Sequence, residues 1–269
     1  MNQRLSTCLL FGALLSLPLT TRGQETISTI ARRSILNERS FQTEDPTEIS
    51  RGASPSVSAR ELSIPERAVK AHAKGMDRLS KNDPAGSLIY FRRAASEFPN
   101  FYEAYHAIGL AQLRLGHEEE AQQAFQKSID ASGGHYAEPH FGLSALLCNQ
   151  QKFAEAEPII RKALELAPDF GPGHFILAWA SFGLNRLDEA EKLAHEASIR
   201  DPKLALAHLL LANIYIRRND YSEELVELDA YLRLEPDGPL SDQAREAQEY
   251  AKRKLAESVV IIEAAQPKP

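Results

Sequence analysis

The 269-residue sequence contains 43% apolar and 25% charged residues, a composition typical of folded, water-soluble proteins. Its formal net charge of −6 disfavours non-specific binding to nucleic acids, which requires a basic surface. Only 7% of the residues are aromatic, whereas Ala and Leu, both strong helix formers, are abundant. The composition therefore predicts a helical protein, either with one sizeable core or with a stack of small repeats that share one.

Residues 1–23 have the pattern of a secretory signal peptide. A polar, singly basic start precedes the apolar stretch from Leu5 to Leu19, and small residues follow before Gln24. The pattern predicts an exported protein, periplasmic or secreted. An uncleaved anchor is the alternative, although the stretch is shorter than the ~20 residues that span a bilayer comfortably. Cleavage would remove Cys8 and leave Cys148 as the single thiol, so the fold must form without an internal disulfide.

Residues 24–62 differ in composition from the rest of the chain. They are rich in Ser, Thr, Glu and Arg, contain few apolar residues, and include a helix-breaking cluster at 52–56. Such a segment cannot bury enough apolar surface to offset the entropy of ordering it. We therefore predict a disordered or extended linker over residues 24–62.

From about residue 68 onward, helix-breaking residues recur at a constant spacing. Pro168, Pro202 and Pro236 lie 34 residues apart, and each follows an apolar helical run. Pro99 lies 69 residues before Pro168, and the intervening break falls at Gly133-Gly134, where one residue is added. A period of 34 residues is that of the tetratricopeptide repeat (TPR), a helix-turn-helix unit.

The sequence resembles the TPR family in its residue types as well as in its period. Each unit is numbered here so that its closing break is position 32. Position 8 is then small in every unit, as Gly75, Gly109, Ser144, Ala178 and Ala212. Position 20 is small in four units, as Ser87, Ala121, Ala156 and Ala190, with Glu224 in the fifth. Because helices A and B of a unit must cross closely, a bulky side chain at position 8 or 20 would hold them apart.

This resemblance implies an all-α fold, a right-handed α-solenoid of about five TPR units within residues 63–257. The units are expected at 68–101, 102–136, 137–170, 171–204 and 205–238. The residues that depart from the TPR pattern lie in the last unit, as is common for a terminal repeat. Residues 239–257 are expected to form a capping helix, and the tail 258–269 contains the β-prone run Val259 to Ile262, which could pack back on the array or dock elsewhere.

The sequence carries no recognisable catalytic motif, phosphate loop or paired-cysteine site. His140, His174 and His208 recur at position 4 of successive units, which could indicate a metal or proton-sensing ladder. However, equivalent atoms of successive repeats lie about 10 Å apart, too far to share one ion. Cys148 has no basic neighbour in sequence that would activate its thiol. We therefore predict neither enzymatic activity nor a cofactor or metal.

In TPR proteins the A helices line a concave groove, to which positions 2, 5, 9, 12 and 13 contribute. By this resemblance the predicted groove residues are Phe141, Phe175, Trp179, Phe182, Leu209, Asn213 and Arg217. Aromatic anchors in a groove are typical of recognition hot spots. The alternative is that these side chains pack between neighbouring A helices or against the linker.

These features predict a non-enzymatic scaffold that binds a protein or peptide segment in its groove. They predict no nucleic-acid partner and no stable membrane span once the signal is cleaved. The alternative function is that of a carrier for an apolar small molecule or lipid, which would require a closed pocket in place of an open groove.

Overall fold

The computed structural model describes residues 64–265, and the side chains as far as residue 258. Every regular element in this range is an α-helix. The helices belong to two compact bodies, the first ending at Asp169 and the second beginning at Phe170. The predicted signal peptide, 1–23, and linker, 24–62, lie outside the described residues.

The first body contains three helix pairs in which consecutive helices pack against each other. They are α1 (Glu66–Ser80), α2 (Pro84–Glu97), α3 (Tyr102–Arg114), α4 (Glu118–Ala131), α5 (Glu138–Asn149) and α6 (Phe153–Leu166).

The second body contains two further pairs and a C-terminal helix, again with consecutive helices in contact. They are α7 (Gly171–Gly183), α8 (Leu187–Arg200), α9 (Ala205–Arg218), α10 (Tyr221–Leu234) and α11 (Ser241–Ala265). The odd-numbered helices α1 to α9 are the A helices, and each is followed by its B helix. For the described residues, the predicted all-α fold of helix-turn-helix units with a C-terminal helix is confirmed.

The core of each helix pair lies at position 20, which the sequence pattern singles out, and at positions 24 and 27 farther along the B helix. At positions 20, 24 and 27, no residue of any of the five pairs is more than 1% exposed. Serines at these positions donate to backbone carbonyls: Ser87 Oγ to that of Pro84, one turn earlier, at 2.7 Å, and Ser128 Oγ to that of Tyr102, in the facing A helix, at 2.7 Å. Small residues there let the helices approach closely.

Glycine at position 8 makes room for an aromatic ring at position 24. A Cβ built on Gly75 would lie 2.4 Å from Cε1 of Phe91, and one built on Gly109 would lie 2.5 Å from Cε1 of Phe125. Carbon atoms in van der Waals contact are about 3.5–4.0 Å apart. Each ring therefore lies directly against the backbone of the facing A helix.

Each turn from an A helix to its B helix contains one left-handed residue, always at position 15. The φ angles are 58° at Asn82, 79° at Gly116, 60° at Gln151, 61° at Asn185 and 60° at Asn219. Glycine and asparagine tolerate this conformation best, which accounts for four of the five residues. Gln151 adopts it without that advantage.

The C-terminal helix α11 is longer than the predicted cap. It continues to Ala265, past residue 257, and includes the β-prone run 259–262 in its backbone. Extending an existing helix costs far less than nucleating one, so β-branched residues can be added at its end. None of the helices in residues 64–265 has the length and apolar character needed to cross a bilayer.

Candidate functional site

Helices α7 and α9 of the second body enclose a recess whose walls are almost wholly apolar. The first wall consists of three aromatic residues of α7, and the second of residues of α9. The lining residues are Phe175, Trp179, Phe182, Leu206, Leu209, Leu210 and Asn213. The recess thus joins two successive A helices, the elements on which the sequence predicted the groove.

The aromatic wall follows from helical spacing. Phe175, Trp179 and Phe182 are separated by four and three residues, so they lie on one face of α7. The rings of Phe175 and Trp179 lie 6.2 Å apart between centroids at an angle of 31°. The three side chains are only 3%, 5% and 3% exposed. They are therefore held in place by packing, and only a small part of each ring is accessible.

The opposite wall is more accessible than the aromatic one. Leu206 and Leu210 are buried, whereas Leu209 and Asn213 are half-buried. Asn213 Nδ2 donates a hydrogen bond of 2.9 Å to the carbonyl oxygen of Leu209, one turn earlier in α9. This bond orients the amide within a largely apolar surface. Leu209 and Asn213 are thus the more accessible parts of the recess.

An exposed cation marks the edge of the recess. The guanidinium carbon of Arg217 lies 3.9 Å from the centroid of the Phe182 ring, a cation–π arrangement. Arg217 Nη1 is also 3.5 Å from the Phe182 carbonyl oxygen and 3.5 Å from Asn185 Oδ1. These contacts orient the positive charge beside the aromatic wall, where it can attract an acidic group on a partner.

The recess is small. Its cavity volume of about 30 Å³ leaves room for roughly two or three water molecules, each of which needs about 10–15 Å³ of such space. Pockets that enclose small organic ligands run to about 300–1,000 Å³. The recess therefore suits one protruding side chain better than an enclosed lipid.

The structure brings together most, but not all, of the residues predicted from the sequence. Five line the recess, and Arg217 lies on the ring of Phe182. Phe141 belongs to α5 of the first body, is 2% exposed and does not contribute to this lining. Leu206 and Leu210 line the recess but were not predicted. Leu206 occupies position 2, which faces the groove in TPR proteins, so the repeat numbering could have identified it.

The recurrent histidines each have a separate local partner. His140 Nδ1 lies 2.8 Å from the carbonyl oxygen of Tyr136, and His208 Nδ1 lies 2.7 Å from Glu227 Oε2. His174 Nδ1 is 3.2 Å from Glu196 Oε2. Among residues 64–258, no group of three or more His, Cys, Asp or Glu residues is arranged to hold a metal ion. These histidines connect the A and B helices or bond the backbone.

The position-5 residues of the first two helix pairs are also histidines. The His72 ring lies 5.4 Å from that of Phe91, and the His106 ring lies 5.8 Å from that of Phe125. Burial lowers the pKa of His106 to about 3, so its imidazole is neutral at physiological pH. Burial also raises the pKa of the 1%-exposed Cys148 to about 12, which makes this thiol unreactive. Neither group has the properties of a catalytic residue.

Comparisons with known proteins agree with this geometry. Tetratricopeptide repeat family models match residues 102–135 and 147–214. No curated protein is significantly similar to this chain in sequence.

Three solved structures illustrate the likeness in fold. MamA (residues 41 to the end) from Desulfovibrio magneticus RS-1 is 20% identical in sequence, with a TM-score of 0.57. The alignment covers 64% of this chain and 97% of the MamA chain. YrrB, described as a TPR protein with an unusual peptide-binding site, is 21% identical, with a TM-score of 0.54. The alignment covers 66% of this chain and 92% of the YrrB chain. TTC0263, a TPR protein of Thermus thermophilus, is 19% identical, with a TM-score of 0.54. The alignment covers 68% of this chain and 98% of the TTC0263 chain.

The repeat period, the buried small positions, the two family models and the fold comparison lead to one conclusion. The chain is a member of the tetratricopeptide repeat family.

Proposed function

We propose that this protein is a non-enzymatic scaffold that binds an apolar segment of another protein at the recess between α7 and α9. The observation that carries the proposal is the aromatic wall of Phe175, Trp179 and Phe182 facing the half-buried Leu209 on the next A helix. Preformed pockets of this kind accept anchor side chains at low entropic cost, because the aromatic rings are already fixed.

The edge of the recess suggests the chemistry of the partner. An apolar side chain would enter between the two helices, and an acidic residue next to it in the partner would lie near Arg217. The overall charge of the protein is negative, so this cation acts locally and does not attract anions at long range. YrrB, a protein of similar fold, is described as having a peptide-binding site, which is consistent with this use of the repeats.

The observations favour this proposal over a carrier of lipids or other apolar small molecules. A carrier must enclose most of its ligand, and the recess is about one-tenth of the smallest volume usual for such pockets. A protruding side chain needs only a shallow site, because the rest of the partner remains outside.

Replacement of Leu209 by Glu is the sharpest test of the recess. Leu209 is half-buried, so the variant should fold, whereas a carboxylate there would have to lose water when an apolar side chain binds. Partners are first captured by cross-linking in the native compartment and identified, and the affinity of the purified pair is then measured. We expect Leu209→Glu to weaken binding at least about ten-fold, equivalent to about 1.4 kcal/mol.

Ile199→Glu is the matched control. Ile199 is 75% exposed on the B helix α8, so this variant adds the same charge to the same body outside the recess. Its affinity should remain within about two-fold of the wild type. Equal affinities for Leu209→Glu and Ile199→Glu would show that the partner binds elsewhere.

We also propose that the protein acts outside the cytoplasm. The support is the apolar stretch and small-residue cleavage pattern within residues 1–23. Intact-mass measurement of protein recovered from cell fractions tests this. We expect the exported fraction to contain a species that lacks residues 1–23. A full-length species found only in the cytoplasm would contradict the proposal.

A further inference from the structure

The first A helix, α1, presents two apolar side chains that remain largely exposed. Val69 is 46% exposed and Met76 is 40% exposed. They are two helical turns apart on one face of α1, at positions 2 and 9, which face the groove in TPR proteins. His72 lies between them on the same side of the helix, and its ring is 5.2 Å from that of Phe101. Helix α1 therefore carries an apolar strip, about 10 Å long, on the groove side of the first body.

Two carboxylates border this apolar strip on the neighbouring A helices. Glu103 of α3 and Glu138 of α5 both occupy position 2, and both are half-buried. Helix α3 contacts both α1 and α5. Burial lowers the pKa of His72, and the charge of the nearby Glu103 opposes this shift. Burial and, to a smaller extent, the charge of Glu103 raise the pKa of Glu138. The two carboxylates thus lie close enough to repel each other, and a cation beside them would relieve that repulsion.

A segment of the same chain has a composition that complements this surface. Residues 27–36, which lie outside the described residues, are called the N-terminal segment below; their sequence is Ile-Ser-Thr-Ile-Ala-Arg-Arg-Ser-Ile-Leu. Its apolar residues at 27, 30, 31 and 35 follow helical spacing. In a helix, Arg32 and Arg33 would flank this apolar face on either side, and the segment contains no acidic residue. The N-terminal segment thus combines the apolar face and the cations that the strip and its two carboxylates require.

We propose that the N-terminal segment binds as an amphipathic helix to the groove side of the first body of its own chain. Its apolar face lies on Val69 and Met76, and its two arginines lie beside Glu103 and Glu138. A helix laid into a groove is a common mode of peptide recognition, in which apolar anchors supply affinity and flanking charges fix the orientation. The two carboxylates disfavour an acidic peptide or an anionic lipid surface as the occupant.

The length of the connecting chain supports a segment of the same molecule over an unrelated partner. Residues 37–63 join the N-terminal segment to the described structure, and a flexible chain of that length spans roughly 30 Å. Helix α1 is only about 22 Å long, so the segment can reach any part of the strip. Such a tether keeps the local concentration of the segment near the millimolar range, so even a weak contact is mostly formed. This docking is independent of the recess between α7 and α9.

Hydrogen–deuterium exchange of the intact protein, read by mass spectrometry of its peptic fragments, tests the proposal. A ten-residue helix is unstable in isolation, so protection of the N-terminal segment requires docking. We expect its amides to exchange at least about ten-fold more slowly than those of an unstructured peptide. Met76→Glu places a charge on the strip and should abolish this protection. Ile89→Glu is the matched control: Ile89 is 69% exposed on the B helix α2 of the same body, and this variant should retain the protection.

A second pair of variants tests the charges of the N-terminal segment. Arg33→Glu brings a carboxylate towards Glu103 and Glu138 and should also abolish the protection, whereas Arg39→Glu makes the same change outside the segment and should not. Circular dichroism checks that all four variants keep the helix content of the wild type. An unprotected segment in the wild type, or equal protection within either pair of variants, would overturn the proposal. Protection that rises with protein concentration would also overturn it, since it would indicate docking on a second copy.

Discussion

Replacement of Phe125 by Ala is expected to lower the free energy of unfolding by about 3–5 kcal/mol, the usual cost of removing a buried aromatic ring. Phe125 is 0% exposed, and its ring lies against two A helices at once. A Cβ on Gly109 would lie 2.5 Å from Cε1 of the ring, and a Cβ on Gly142 would lie 2.7 Å from Cζ. Glycine has no side chain that could move into the space left by the ring, so the cavity in Phe125→Ala should remain largely open. Urea denaturation of the purified protein measures the effect.

The complementary change at Gly109 separates packing from helix propensity. In an open helical site Gly→Ala stabilises by up to about 1 kcal/mol, whereas here the new methyl group overlaps the ring and should cost about 1–3 kcal/mol. Phe125→Leu shortens the side chain, so Gly109→Ala should be less damaging in that background. If Gly109→Ala stabilises the protein in both backgrounds, the ring is not held against the backbone as described.

Replacement of Glu224 by Ala should stabilise the protein, by about 1–3 kcal/mol at pH 8, because it removes a buried, unpaired carboxylate. Glu224 occupies position 20, which is Ser or Ala in the other helix pairs, and it is 0% exposed. Among the described residues neither of its carboxylate oxygens has a hydrogen-bond partner. Glu223→Ala, one residue earlier and exposed, is the matched control and should not stabilise.

The stabilisation by Glu224→Ala should depend on pH. Burial raises the pKa of Glu224 from 4.5 to about 7 in the folded protein. Between these values the folded state retains a proton that the unfolded chain has released, so the stability of the wild type falls as pH rises through this window. The advantage of Glu224→Ala should therefore be small near pH 4.5, grow from there and level off above pH 7. Thermal unfolding at several pH values checks this, and a constant difference would contradict it.

The repeat architecture was predictable because its packing depends on small side chains at fixed intervals. Gly75 and Gly109 allow close helix crossing, and their spacing is visible in the sequence. The recurrence of Asn or Gly at position 15 is also visible in the sequence, but the left-handed turn at this position was not predicted. Asn82, Gly116 and Asn185 recur at that position, whereas Gln151 gives no hint of a left-handed conformation.

The candidate site was only partly predictable. Repeat numbering placed Phe175, Trp179 and Phe182 on one face of α7, because helical spacing alone determines that. Sequence could not show how deeply Trp179 is buried, because its 5% exposure depends on tertiary packing. The same is true of Leu210, which lines the recess from position 6. The length of α11 was missed because Val and Ile were interpreted as β-prone, and helix propagation outweighs that weak preference.

The contact between position 8 and position 24 couples changes at these two positions of a repeat. The first two pairs combine Gly with Phe, whereas the last pair combines Ala212 with Leu228. An aromatic ring opposite alanine overlaps the methyl group, and leucine opposite glycine leaves a cavity. The two positions should therefore covary among related repeats, and whole helices exchanged between the two kinds of repeat should be tolerated only as matched A and B pairs.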